Sequence, residues 1–282
     1  MIYVVSDLHG QRELFRRLLQ KINFNQNDKM YVIGDVIDRG PQPVQLLRDI
    51  KATPNMELLI GNHECMMLRA LNPDGTIRDM ESFSLWANFN GGEVTYKRFL
   101  DISEAERTEL YNWLLDRKLT TAIELGGQKY YLTHAMVDER YIDIPVKEVP
   151  FNDVWKIVWN SPYRDDDDGT KCSFLDYPQD GITVMGHVPV VRCHHKDLTP
   201  YEQMNTINID GGCSMEGWSE SQYTGVMILR LDEMKSSGYS FSDLTDDLLT
   251  EDVTDQQIID ALGIYVAAPI INMRSKYSKY IN

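Results

Sequence analysis

The sequence predicts an α/β fold: two mixed β-sheets packed face to face, flanked by helices and carrying a helical cap. Three observations carry that expectation. Short β-branched runs alternate with helical periodicity over the first sixty residues; a helical, aromatic stretch follows at 75–118; and the second half is dense in short strands.

Ile2 to Val5 is a continuous apolar run suited to a strand buried on both faces. Leu14, Phe15, Leu18, Leu19 and Ile22 then recur at helical spacing. Met30 to Ile33 is a second strand, Val44, Leu46, Leu47 and Ile50 mark a second helix, Met56 to Ile60 is a third strand, and Glu64 to Leu71 a third helix. Strands alternating with helices imply a parallel sheet with right-handed crossovers. Residues 75–118 hold Trp86, Phe89, Tyr96, Phe99, Tyr111 and Trp113, read as a cap with a small core of its own. Thr121–Leu125, Lys129–Thr133, Ile182–Met185, Thr206–Ile209 and Gly225–Leu231 are strands of a second sheet packed on the first. These elements give one domain over residues 1–232. Residues 233–282 form a C-terminal appendage without an assigned role, with a capping-box pattern at Thr254-Asp255-Gln256-Gln257 ahead of Ile258, Ile259 and Leu262.

The chain has 282 residues, with 28 Lys plus Arg against 43 Asp plus Glu, a formal charge of −15. Such acidity argues against a non-specific nucleic-acid or anionic-membrane binder, which needs a basic face. It leaves room for a phosphorylated substrate met in a local positive pocket, because bound metal outweighs the global charge there. Cys65, Cys172, Cys193 and Cys213 form no C-x-x-C pair and fit reduced thiols. The N-terminus has no basic leader, and no apolar run approaches the ~18 residues of a membrane span. A soluble, cytoplasmic protein is expected.

Three strand ends deliver polar groups in the same manner: Asp7-Leu8-His9-Gly10, Gly34-Asp35-Val36-Ile37-Asp38-Arg39-Gly40 and Gly61-Asn62-His63-Glu64. The carboxyl ends of parallel strands lie along one sheet edge, so Asp7, His9, Asp35, Asn62 and His63 converge. His134 in Thr133-His134-Ala135 and His187 in Gly186-His187-Val188 follow later strands. Oxygen and imidazole donors in this mixture suit two divalent ions, with Mn, Fe or Zn favoured over an all-oxygen Mg or Ca cage. A carboxylate shared between two cations ~3.5–4 Å apart places a water between them, its pKa lowered towards ~7, as a nucleophile. A histidine outside the ligand set protonates the leaving alkoxide, and Arg39 clamps phosphate oxygens with a planar fork of donors. Two other clusters read more simply. Asp165-Asp166-Asp167-Asp168 lacks the spacing of a calcium loop and is a solvated turn, and Cys193-His194-His195 is an exposed loop.

In this combination the chain resembles the calcineurin-like metallophosphoesterases, and within them the bacterial and bacteriophage lambda type phosphoprotein phosphatases. The family pattern G-D-x-H-G, G-D-x-x-D-R-G, G-N-H-E stands here as Ser6 to Gly10, Gly34 to Gly40 and Gly61 to Glu64, and Trp86 to Thr95 matches a W…NGG…T segment. The resemblance implies that Asp7 and His9 hold a first metal, that Asp35 bridges, and that Asn62, His134 and His187 complete a second. It implies His63 as general acid, oriented by Asp38, and Arg39 and Arg164 as phosphate-binding residues. Two positions depart from the pattern: Ser6 stands for a glycine, and Ile60 stands where many phosphoprotein phosphatases carry an arginine. Asp210-Gly211-Gly212 reads equally as the family's ending or as a plain strand-to-turn junction.

The expected activity is hydrolysis of phosphoserine or phosphothreonine in proteins, using two divalent ions, Mn²⁺ foremost. The alternative within hydrolases is a dinucleoside polyphosphatase, from which Asp38 and Glu64 separate this chain while Ile60 points towards it. Outside enzymes, the alternative is a phosphopeptide-binding protein that has lost catalysis, which the intact ligand set and His63 argue against. The expected partner is a phosphorylated protein or phosphate ester, with no nucleic acid and no membrane.

Overall fold

The computed structural model describes residues 1–163, 172–215 and 223–245. β1 (Ile2–Val5), β2 (Lys29–Ile33) and β3 (Met56–Leu59) run parallel, linked through α1 (Arg12–Lys21) and α2 (Pro43–Ala52). α3 (Asn62–Ala70) leaves the end of β3, and α4 (Met80–Phe83), a π-helical turn (Ser84–Phe89), α5 (Glu93–Leu100) and α6 (Glu104–Leu115) follow it. A second five-stranded sheet then forms from β4 (Thr120–Leu125), β5 (Gln128–Thr133), β6 (Ile182–Met185), β7 (Tyr201–Gln203) and β8 (Thr206–Asn208), in the order β4-β5-β6-β8-β7. α7 (Phe151–Trp159) lies between β5 and β6.

The two sheets face one another, as the sequence predicts. Alternate side chains explain how. Val4, Ile33, Leu59 and Leu229 of the first sheet meet Tyr130, Leu132, Val184 and Ile207 of the second in one buried layer. Tyr3 and Val5, the neighbours of Val4, point the other way into the larger core beneath the helices. Each fully buried aliphatic side chain here contributes about 1.5–3 kcal/mol.

The strand predicted at 225–231 is present as β9 (Gly225–Arg230), but it belongs to the first sheet and not the second. It pairs antiparallel with β1, Leu229 opposite Val4, and covers the β1 edge that β2 leaves open. β10 (Lys235–Ser240) pairs outside β9, so this sheet runs on past residue 232 to Ser240, where α8 (Phe241–Thr245) begins. Neither β10 nor β7 is signalled by an apolar run; both are edge strands of polar, largely exposed residues.

The segment expected as a cap is helical and packs against α2 and α3. It has no separate core: Trp86, Phe99 and Tyr111 are buried in the main helix-side cluster. The reason is geometric, because the apolar faces of α5 and α6 meet the outer faces of α2 and α3 directly. No helix among the described residues is long and apolar enough to cross a membrane, and the four cysteines form no disulfide. The Asp165–Asp168 run and the 254–262 capping-box segment lie outside the described residues.

Candidate metal centre

The chain turns sharply where it leaves β1, β2 and β6, and the backbone there is unusual. Asp7, His9, Asp35, Asp38, Arg39 and His187 all have φ between 41° and 73°, a left-handed region that non-glycine residues seldom adopt. Such conformations persist only where the surroundings over-determine them, and they cluster at functional sites. Close approach matters too. A Cβ on Gly34 would lie 2.7 Å from His134 Nδ1, and one on Gly186 would collide with Ser6 Oγ and an Asp7 carboxylate oxygen.

Glu64 fixes the β2 turn to α3. Its fully buried carboxylate accepts backbone N–H groups from Asp35 (2.9 Å), Val36 (2.8 Å), Ile37 (3.2 Å) and Gly61 (2.9 Å). Sequence reasoning gave Glu64 no structural duty; the signal was its place three residues into a helix beginning at Gly61.

The histidines are oriented through one ring nitrogen each. His9 Nδ1 faces the Ile37 carbonyl at 3.1 Å and His134 Nδ1 the Ile33 carbonyl at 3.0 Å, which turns both Nε2 atoms inward. Ligand-type atoms of His9, Asp35 and His63 lie within 4.8 Å of one another, and so do those of Asp35, His134 and His187. Asp35 is common to both groups. Asn62 Oδ1 sits at the second: 2.8 Å from His134 Nε2, 3.1 Å from His187 Nδ1, and 3.1 and 3.2 Å from the Asp35 oxygens. Asp7 is buried beside them, one carboxylate oxygen accepting from the His187 N–H at 3.0 Å and from Ser6 Oγ. Thus Asp7, His9, Asp35, Asn62, His63, His134 and His187 do come together. Arg164 lies outside the described residues.

The electrostatics of this cluster are those of a cation site. Burial is the largest cause raising the Asp7 and Asp35 carboxyls well above the usual range; Asp210 reinforces it for Asp7, and Asp7 for Asp35. Burial and then Arg39 hold His9 and His63 well below the ordinary imidazole value, and burial takes His134 down to about 4. The result is neutral imidazoles beside buried carboxylates that need positive charge. Around Asn62 the lone pairs of two imidazoles and a carboxylate converge on one amide. A divalent cation satisfies all of them together, so the donor set fits two metal ions sharing Asp35.

His63 has a second shell of its own. Its Nδ1 lies 2.6 Å from Asp38 Oδ2, which also accepts from Trp86 Nε1 at 2.7 Å, while Asp38 Oδ1 accepts from Thr95 Oγ1 at 2.6 Å. Burial pushes the Asp38 carboxyl up to about 7 against the pull of Thr95, Trp86 and Arg39. Arg39 donates to His9 Nε2 at 2.9 Å, to His63 Nε2 at 3.0 Å and to Ser214 Oγ at 3.1 Å. A cavity of about 410 Å³ opens over these groups, bordered by Arg39, Asn90, Trp159, Tyr163, Arg192 and Ser214.

Asp210 also lines this cavity. It is 2 % exposed, accepts the Gly212 N–H at 2.8 Å, and is raised to about 6 by burial. Asp210-Gly211-Gly212 thus follows β8 at the edge of the cavity. Trp86, Thr95 and Asn90 reach the site through the W…NGG…T segment, whereas Tyr163, Arg192 and Ser214 had no sequence signal. Cys193, His194 and His195 join no metal-type group among the described residues. Cys65 is buried with its thiol pushed up to about 12, as a packed, unreactive cysteine.

The sequence model of the calcineurin-like phosphoesterases matches residues 1–214. The symmetrical bis(5'-nucleosyl)-tetraphosphatase of Erwinia tasmaniensis is 27% identical over 164 residues, covering 57% of this chain and 53% of that protein. Serine/threonine-protein phosphatase 2 of Salmonella typhimurium is 30% identical over 160 residues, covering 56% of this chain and 67% of the relative. The chain therefore spans about half the length of the tetraphosphatase it matches. Among solved structures, that of a putative diadenosine tetraphosphatase superposes with a TM-score of 0.54 at 17% identity, covering 84% of this chain and 92% of the other, a likeness of fold.

Proposed function

The chain belongs to the calcineurin-like phosphoesterase family, and on that premise we propose that it is a metal-dependent phosphomonoester hydrolase acting on phosphoserine and phosphothreonine in proteins. The observation that carries this reading is the Asp38–His63 pair, held by Trp86 and Thr95 beside two ligand groups that share Asp35. Asp7, His9 and Asp35 would hold one cation, and Asp35, Asn62, His134 and His187 the other; Mn²⁺ is the proposed ion. When bound, the two cations supply charge neutralisation at the phosphoryl oxygens and acidify a water for in-line attack.

The remaining steps belong to the protein. Arg39 turns its guanidinium from the two imidazoles to the phosphate oxygens, where a planar fork gives bidentate recognition. Arg164 is proposed as a second phosphate contact. His63 delivers a proton from Nε2 to the departing serine or threonine oxygen. Asp38 against Nδ1 fixes the ring and stabilises the imidazolium that must form first. The buried side chains around the pair, Trp86 and Thr95, keep water from competing for the Asp38 oxygens.

A second reading, hydrolysis of dinucleoside polyphosphates, is favoured by the tetraphosphatase relatives and by Ile60. The Ile60 side chain is fully buried in the helix-side core, so no cation reaches the cavity from that position. Initial rates with Mn²⁺ on a phosphoserine peptide and on diadenosine tetraphosphate, each with an EDTA control, test both. Faster, EDTA-sensitive peptide turnover supports the proposal. Faster nucleotide turnover replaces it with the second reading, and turnover of either that persists in EDTA overturns the metal assignment.

A further inference from the structure

A second cavity, of about 620 Å³, lies between α3, α6, the 146–149 turn and α7 and shares no lining residue with the first. One side of it is apolar, from Leu68, Leu115, Val146, Val149, Phe151 and Val154, and charged residues complete the lining. That volume is the size that takes a drug-like ligand, and the usual design is an apolar pocket with a few placed polar groups. Here the polar group is Arg69. Its guanidinium carbon stands 4.7 Å from the Phe151 ring centroid and 5.6 Å from that of Trp155. Stacked in this way, the exposed Arg69 has no hydrogen bond or close ion pair among the described residues, although its charge reaches Asp79 and Cys65.

The contrast with its neighbours is instructive. Arg78 of the same cavity is fully engaged, with Asn72 Oδ1 at 3.2 Å, the Leu68 carbonyl at 3.3 Å and Tyr111 Oη at 2.8 Å. Asp79 caps α4 by accepting the Ser82 N–H at 2.8 Å, and Glu81 stands exposed at the rim. One cation is therefore presented on an aromatic cushion with its donors unspent, beside an apolar hollow. Two rim carboxylates and a chain charge of −15 disfavour a polyanion.

We propose that this cavity binds an amphipathic organic anion, with an apolar ring or chain between Leu68 and Val154 and one carboxylate, sulfonate or phosphate group on Arg69. The site stands on its own geometry and does not rest on the hydrolase reading. It is placed to matter for chemistry, because its floor is α3. Cys65 and Leu68 of that helix line the cavity, and Asn62 and His63 open the same helix in the metal centre.

The test is fluorescence titration of the full chain with 8-anilino-1-naphthalenesulfonate and with N-phenyl-1-naphthylamine, which has the same rings and no charge. The expected result is one saturable site for each, undisturbed by EDTA and, for the neutral probe, by inorganic phosphate. Arg69→Gln should weaken the sulfonate about tenfold, the worth of a charge-assisted hydrogen bond, and leave the neutral probe unchanged. Val154→Trp, which fills the hollow, should abolish both, with a cooperative melt showing that each variant is folded. Equal sulfonate affinity in Arg69→Gln overturns the anion assignment. Unchanged binding of both probes in Val154→Trp, or displacement of the neutral probe by phosphate, overturns the site. Should Val154→Trp not fold, the Arg69→Gln comparison alone decides.

Discussion

His63 differs from the other histidines of the site in what holds it. His9 and His134 lean on backbone carbonyls, whereas His63 leans on a carboxylate that takes two further side-chain hydrogen bonds. A ring supported in this way is built to carry positive charge for a moment, which is what proton donation asks of it. His63→Ala should therefore lower kcat about 10²–10⁴-fold on a phosphoserine peptide, and far less on p-nitrophenyl phosphate, whose leaving group departs as an anion without a proton. Steady-state rates on the two substrates decide it. An equal loss on both would remove His63 from the acid role and leave it a metal ligand, as its place beside His9 and Asp35 also allows.

At the scale of elements, Glu64 locks the turn after β2 to the start of α3, and the turn after β1 is tied to the same β2 turn by backbone hydrogen bonds from His9 to Asp35 and from Gly10 to Val36. Glu64→Gln replaces a carboxylate serving four backbone N–H groups by an amide with a single acceptor oxygen, so buried donors go unpaired. We expect a loss of about 2–4 kcal/mol, read as a lower denaturant midpoint at unchanged slope, together with weaker metal binding as the Asp35 turn loosens. An unchanged midpoint would mean that the turn is held by its ligands instead. These junctions are also where the sequence speaks most clearly. The three polar clusters each follow an apolar run, and parallel order then dictates that they meet. What the sequence leaves silent has a physical cause. β7 and β10 are polar edge strands defined by a neighbour's hydrogen bonds, and no periodicity marks them. The placement of β9 beside β1 depends on which sheet edge is open, a property of the assembled sheet. Ser214 and Arg192 reach the cavity from loops, whose courses local propensity does not set.

For the whole molecule, so many buried acids and neutral imidazoles make stability depend on cations and pH together. Burial raises Asp210 to about 6 and Asp38 to about 7, against 3.8 for an ordinary aspartate, and raises Asp7 and Asp35 well above their usual range. A raised carboxyl contributes stability at low pH that is lost as pH climbs through its folded value. The depressed histidines work in the opposite sense, and their effect is spent only about one pH unit above their ordinary 6.5, where the unfolded chain has lost those protons too. The clean window is therefore above about pH 7.5. There the EDTA-treated chain should lose stability with rising pH, while the Mn²⁺-loaded chain stays level because the cations stand in for the missing protons. Denaturant midpoints at about pH 7.5, 8 and 8.5 with and without metal measure this. A metal-free midpoint that rises across the window would contradict it.

The left-handed residues along the rim, Asp7, His9, Asp35, Asp38, Arg39 and His187, set activity against durability in the history of such a chain. Each holds a backbone shape that glycine would adopt at ease, a difference of order 1–3 kcal/mol. A change to glycine there would ease the backbone and at the same time remove a side chain from the cation cluster or its supports. At these six positions the comfort of the chain and the chemistry of the cluster pull in opposite directions.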